Sequence, residues 1–206
     1  MYRRFTPDNL RSLYLEQKKS VAEIAQIAAC SEHKINYWLG KYGISKRSIS
    51  EAIYLKRNPG GDPFLFRVPR NKSDALLYGL GLGLYWGEGN KRNKLSVRLG
   101  NTDPLLIKKF IQFLTEVYSI KTSKLRFWLQ IFSDMSEKEA LDFWIKTLKV
   151  SRSQFSKTTI TPSGGVGTYR EKTTHGVLSV YFHNKKLRDS IVGAVENIDD
   201  VLLHLK

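Results

Sequence analysis

Cysteine is almost missing from this chain: Cys30 stands alone among 206 residues. That excludes an intrachain disulfide, and the ligands a zinc site needs are not spaced around it. Long apolar runs are also lacking. The stretch from Ala75 to Trp86 carries no charge, yet it is well short of the roughly 20 residues of a membrane span. With neither a spanning segment nor a signal-peptide pattern, the reading predicts no membrane association and a reducing cytoplasm. Histidines number four; they stand in unrelated contexts, and no serine occupies a recognisable elbow. A nucleophile–base triad is therefore not implied, nor is a cofactor box. Acidic residues are scarce, 19 Asp and Glu against 34 Lys and Arg, a formal net charge of +15. Such a surface attracts phosphate, giving sequence-independent affinity and faster encounter with nucleic acid. The alternative is a solvated, solubilising coat.

What is present suffices for a core: 41% of residues are hydrophobic and 12% aromatic, which suits two small domains. Asn58-Pro-Gly-Gly-Asp-Pro63 is the clearest punctuation. The division predicted is residues 1–57, a linker over 58–71, and residues 72–206. The cationic excess is shared by both parts.

The first part opens with a helical pattern through Leu10, Leu13 and Tyr14. Ser20-Val-Ala-Glu23 is a capping box that starts a second helix, with Ala22, Ile24, Ala25 and Ile27 on its apolar side. Ala28, Ala29 and Cys30 make a small-residue corner before Ser31, a good N-cap for a third helix. This is helix-turn-helix spacing and resembles resolvase-like and homeodomain-like domains. Ile35, Trp38 and Leu39 share one face of the third helix, leaving Glu32, His33, Lys34, Asn36 and Tyr37 for a major groove. Asn36 suits adenine and Lys34 guanine or phosphate, while Lys41, Lys46 and Arg47 would grip backbone phosphates. A three-helix bundle that merely packs or dimerises stays open, and His33, with no second ligand at helical spacing, is a surface contact rather than a metal site.

Residues Gly81 to Gly89, Gly-Leu-Gly-Leu-Tyr-Trp-Gly-Glu-Gly, form an apolar helix pattern delivering one carboxylate, Glu88, at its end. Each helix-interior glycine costs about 1 kcal/mol relative to alanine, so something must offset them. Gly79, Gly83 and Gly87 recur at i, i+4, i+8, a smooth stripe on which a second backbone would approach closely. A carboxylate at a helix C-terminus also faces the negative end of the macrodipole, which a divalent cation would relieve. A solvent-facing glutamate that simply closes a helix is the plainer alternative.

This stretch resembles the LAGLIDADG family of homing endonucleases, with Gly83 at the motif's first glycine, Gly87 at its small residue, Glu88 at its last acid and Gly89 at its final glycine. The sequel Leu95-Ser-Val-Arg-Leu-Gly-Asn101-Thr-Asp-Pro104, followed by a helical run, is similar to that family's strand and second helix. The resemblance covers Lys72 to the C-terminus, within chains joining a helix-turn-helix to a single motif. It implies an α+β fold: the three-helix domain joined to an α/β saddle, an antiparallel sheet with helices on one face and double-stranded DNA in its concavity. It also implies a homodimer whose glycine helices cross at the two-fold axis, a pseudo-palindromic site, and Mg²⁺ held by Glu88 from each copy for phosphodiester hydrolysis. Asn101 falls where the family often carries a water-positioning residue. Trp86 departs from a position that is frequently acidic, and the family's basic active-site residue is not fixed: Lys91, Arg92 and Lys185 are the candidates.

Strand alternation supplies the expected interface. Leu95, Val97 and Leu99 would face a core, with Ser96, Arg98 and Gly100 opposite. Leu125, Phe127, Leu129 and Ile131 alternate with Arg126, Trp128 and Gln130, and Leu178, Val180 and Phe182 with Ser179, Tyr181 and His183. Polar outer positions are ordinary in antiparallel sheets, but this mix suits base edges and phosphates. Thr161 to His175, with Arg170 and Lys172, reads as a mobile arm along a backbone or as an idle loop. Leu105, Leu106, Phe110, Phe113, Leu114 and Val117, then Ala140, Leu141, Trp144 and Leu148, form core stripes. Three functions follow: a site-specific Mg²⁺-dependent endonuclease of mobile-element type, a transcription regulator in which Glu88 is vestigial, or an RNA-binding protein stacking bases on Trp128 and Tyr181.

Overall fold

The computed structural model describes residues 6–163 and 173–200. The chain divides into two compact units, Met1–Pro63 and Phe64–Lys206.

In the first unit, α1 (Pro7–Arg11) starts at Thr6, whose hydroxyl accepts from the Asn9 N–H, and runs into a π turn at Ser12–Glu16. The capping box read from Ser20 and Glu23 is formed and opens α2 (Val21–Ile27). Ser31 caps α3 (Glu32–Lys41). Between them the chain reverses through Ala29 at φ 51°, while the Cys30 N–H closes on the Ala25 carbonyl at 3.0 Å. That is a left-handed helix terminus filled by a residue with a Cβ. Leu10, Ile24, Ile35 and Leu39 are fully buried at the centre, each stabilising by about 1.5–3 kcal/mol. A further helix, α4 (Ile49–Arg57), adds to the three that were expected and buries no residue.

The second unit begins before its first helix. Leu65 and Arg67 donate their N–H groups to the Tyr118 and Val117 carbonyls at 2.9 and 2.7 Å, and Phe66 packs on Tyr78 and Tyr118. Residues 64–67, read as linker, are thus tied to this unit by aromatic burial. Asn71 then caps α5 (Lys72–Glu88). There follow β1 (Val97–Asn101), α6 (Pro104–Gln112) with a π turn at Phe113–Val117, β2 (Arg126–Phe132), α7 (Glu137–Leu148), β3 (Thr159–Thr161), β4 (Val177–Phe182) and α8 (Lys185–Glu196).

The fold is mixed α+β, and its four-stranded sheet runs β1-β4-β2-β3. β4 is antiparallel to both β1 and β2, as the resemblance implied. β3, however, is parallel to β2, so the wholly antiparallel sheet is corrected to a mixed one. The cause is connectivity: α7 carries the chain from β2 back to its starting end, so the next strand must run the same way. Val97, Leu99, Phe127, Leu129, Leu178 and Val180 join Tyr78, Leu82, Tyr85, Phe110, Phe113, Trp144 and Leu187 in one core, so the helices cover one face of the sheet.

Apolar positions are corrected in both units: on α2 only Ile24 and Ala25 are buried, while Ala22 and Ile27 are exposed. Leu95 is 68% exposed, because Asn93 accepts the Leu95 N–H and turns the chain before the ladder begins at Val97. Ser96 is buried instead. Leu105 is 63% exposed at the start of α6, and Ile107 takes the core position.

Candidate nucleic-acid interface

The sheet face opposite the helices is built by pleating. Arg98, Tyr181 and Arg126 lie in one cross-strand row, and Gly100, Ser179 and Trp128 in the next. The small middle of the second row lets long side chains close over it: a Cβ on Gly100 would come within 2.7 Å of the Ser179 hydroxyl. Arg98 reaches diagonally to Trp128, its guanidinium carbon 4.4 Å from the ring centroid. Trp128 in turn donates its indole N–H to Thr159 Oγ1 at 2.9 Å, and Gln130 donates to Thr161 Oγ1 at 3.3 Å. Tyr181 and His183 meet edge to face at 5.0 Å. The Arg98 guanidinium stacks without spending its N–H donors on any acceptor among the described residues. Arg126 is less free, donating to the Ser123 and Leu125 carbonyls at 3.0 and 2.9 Å.

Near Arg98 the face dips into a hollow of about 320 Å³. Ser96, only 1% exposed, lies at its floor, and no carboxylate lines it.

α5 ends beside the same strand. Gly89 bridges to Leu99, and the Asn90 N–H donates to the Arg98 carbonyl at 2.8 Å, so Glu88 comes alongside Gly100 at the β1 edge. Glu88 is exposed and has no hydrogen bond or ion pair among the described residues. Gly79, Gly83 and Gly87 are exposed, and no atom of the described residues lies within 4 Å of where a Cβ would stand. Leu76, Leu80 and Trp86, the last 57% exposed, continue that face. The glycine that meets another helix inside the subunit is Gly81, against Phe113.

Lys91 turns back to donate its ammonium to the Trp86 carbonyl, and its own carbonyl accepts from Arg188 on α8 at 2.9 Å. Arg188 also bonds Asp189 at 3.1 Å, and Lys185 pairs with the same carboxylate. The Lys185 bond, with Arg188 adding to it, holds Asp189 below the usual carboxylate range. Lys185 is thereby engaged in an ion pair, and Arg92 is exposed. Asn101 spends its Oδ1 on the Asp103 N–H at 2.9 Å. Tyr85 is buried beside Arg188, its hydroxyl without a hydrogen-bond partner among the described residues, and that burial pushes its pKa up. Among the described residues no three His, Cys, Asp or Glu side chains gather to hold an ion. A lone Glu88 does not make a divalent-cation site by itself.

On α3, His33 and Tyr37 are exposed, and Lys34 and Asn36 are half-buried. The Lys41 ammonium stands 4.8 Å from the Trp38 ring centroid, and Lys46 is exposed. Arg47, expected at phosphate, is held within its own unit. It donates to the Lys18 and Lys19 carbonyls at 3.3 and 3.0 Å, and stacks 4.1 Å over Tyr14. Its reach is spent on closing the end of the first π turn. Arg170 and Lys172 lie outside the described residues.

Sequence reasoning missed Arg188, Ser96 and the role of Gly81. Arg188 belongs to a helix whose spacing says nothing of the distant loop it ties. No helix of the described residues is long and apolar enough to cross a membrane. No family model, curated protein or solved structure matches this chain.

Proposed function

We propose that this chain is a site-specific double-stranded DNA-binding protein that acts as a homodimeric, Mg²⁺-dependent endonuclease hydrolysing phosphodiesters. The observation that carries the reading is the proximity of two features. A sheet face bearing Arg98, Trp128, Gln130 and Tyr181 lies opposite the helices, and Glu88 ends a helix beside the edge strand of that same sheet.

The outward glycine stripe supports a second copy as the occupant of the α5 face. Exposed helix-interior glycines weaken the isolated helix by about 1 kcal/mol each, and close approach of an equivalent helix offsets that loss. A two-fold contact is self-complementary, so each copy brings its Glu88 toward the axis. Two carboxylates then furnish the hard oxygen donors that one chain lacks. Mg²⁺ bound there supplies charge stabilisation and water activation for phosphodiester hydrolysis. Lys91 and Arg92, three and four residues after Glu88, would face the phosphates, with Asn101 at the end of the edge strand and Lys185 at the start of α8. In the first unit, the helix-turn-helix reading gives α3 the role of entering a major groove through His33, Lys34, Asn36 and Tyr37, with Lys41 and Lys46 at the backbone.

A transcription regulator is the second reading, favoured by the lack, among the described residues, of any group of three or more His, Cys, Asp or Glu side chains that could hold a metal ion. Selection of bound duplexes from a random DNA pool, followed by incubation of the recovered site with Mg²⁺, separates the two. Strand breaks abolished by Glu88→Gln identify the nuclease. Firm binding with no break in either protein identifies the regulator, and failure to recover any duplex overturns both.

A further inference from the structure

The hollow beside Arg98 has a shape and lining that a flat groove-reading surface does not require. Its volume, about 320 Å³, is at the small end of ligand pockets, which run from about 300 Å³ upward. Trp128, Tyr181 and His183 give it three aromatic rings, Arg98 a cation, and Asn93 and Ser96 polar groups. The rings are fixed. Trp128 is pinned through Thr159, and Tyr181 and His183 brace each other. Asn93 uses its Oδ1 to hold the Leu95 N–H, which leaves its amide N–H₂ for a ligand.

We infer that this hollow is a pocket for a single unstacked nucleobase, resting on the reading of the sheet as a nucleic-acid surface. Three points favour that ligand. A phosphate would be served by Arg98 and the hydroxyls but has no use for aromatic walls, whereas every base has a π face to lay against them. A base still paired in a duplex offers only its edge at the groove, so it would not reach the buried floor at Ser96 without leaving the stack. The Arg98 fork, with its donors unspent, matches the O6 and N7 acceptors of guanine, and no carboxylate in the lining opposes them. The base comes from an extruded or unpaired nucleotide of the bound DNA strand.

The test compares the affinity of the full chain for a mixed-sequence duplex and for the same duplex carrying one bulged guanine, by fluorescence anisotropy. Parallel titrations use the corresponding single strands of DNA and of RNA. The bulged duplex should bind about tenfold more tightly than the matched one, the scale of one base–aromatic stack. Trp128→Leu should bring the two affinities to within about twofold, while Trp128→Phe, which restores a stacking ring, should retain most of the preference. Both variants must melt at the wild-type temperature, and Trp128→Phe carries the test if Trp128→Leu does not fold. Equal affinity of the wild type for matched and bulged duplexes overturns the pocket and leaves duplex binding standing. Tight binding of bulged or single-stranded DNA without matched duplex keeps the pocket and overturns the duplex reading. Preference for the RNA strand keeps the base pocket and overturns DNA as its source.

Discussion

Gly81 and Phe113 occupy what would otherwise be the same space: a Cβ on Gly81 would lie 2.1 Å from the Phe113 ring. Phe113 begins the π turn that closes α6, and the contact sets α5 hard against it. Two kinds of glycine therefore share one helix, the buried Gly81 and the outward Gly79, Gly83 and Gly87.

Their substitutions should separate cleanly. Gly81→Ala overpacks the core and should destabilise the second unit by about 1–3 kcal/mol or more. Gly83→Ala should raise helix stability by about 1 kcal/mol while weakening self-association. Chemical denaturation reads the first effect and sedimentation the second. If Gly81→Ala is harmless, the packing described is wrong; a Gly83→Ala chain that associates as strongly as wild type removes the glycine stripe from the proposed dimer contact.

Ala29 holds φ 51° at the end of α2, a conformation that costs an L residue roughly 1–2 kcal/mol. Ala29→Gly should therefore stabilise the first unit by up to about 1 kcal/mol, and Ala29→Val should weaken it. The unit's thermal transition measures both, and a lower transition for Ala29→Gly would contradict the account.

Alkali should act on the second unit. Burial raises the pKa values of Tyr78, Tyr85 and Tyr118 above the usual 10.0. A raised folded pKa means that the unfolded chain loses its protons first. The contribution is thus whole below pH 10 and is lost as pH climbs toward the folded values. On the acid side the sign reverses. Glu23, held below 4.5 chiefly by its Ser20 hydrogen bonds, contributes above that value and ceases to do so as pH falls through its lowered folded pKa. Circular dichroism against pH should show alkaline unfolding reduced in Tyr85→Phe and acid sensitivity reduced in Glu23→Gln. Unchanged profiles would contradict both assignments.

Arg188 ties the loop after Glu88 through the Lys91 carbonyl. If the chain is the proposed endonuclease, Arg188→Met should slow cleavage at a selected site while leaving affinity for that site within about threefold, since the change frees the loop after Glu88 without touching the sheet face. Loss of both together would instead indicate general unfolding.

Much of this was legible where local chemistry and periodicity agreed. Ser20 and Glu23 announce α2 by reciprocal capping, and Phe127, Leu129 and Ile131 alternate with Trp128 and Gln130 because β2 has one buried face. β3 was not legible: Thr159–Thr161 is three residues long, and none of its positions is fully buried to give a period. Gly79, Gly83 and Gly87 announce a stripe by spacing, but spacing does not say which glycine meets a neighbour within the subunit. Only the bulk of Phe113, more than thirty residues away, assigns that role to Gly81. Phe64 and Phe66 look like linker beside the Pro-Gly cluster until Tyr118 supplies their partner.

The claim on which the account rests is that two Glu88 side chains, one from each copy, act on one DNA site. Titrating wild type with Glu88→Gln at constant total protein, on the selected duplex with Mg²⁺, tests it directly. Double-strand breaks should fall more steeply than the wild-type fraction, because each mixed pair retains one carboxylate. A fall in simple proportion to wild type, or cleavage by Glu88→Gln alone, would contradict it.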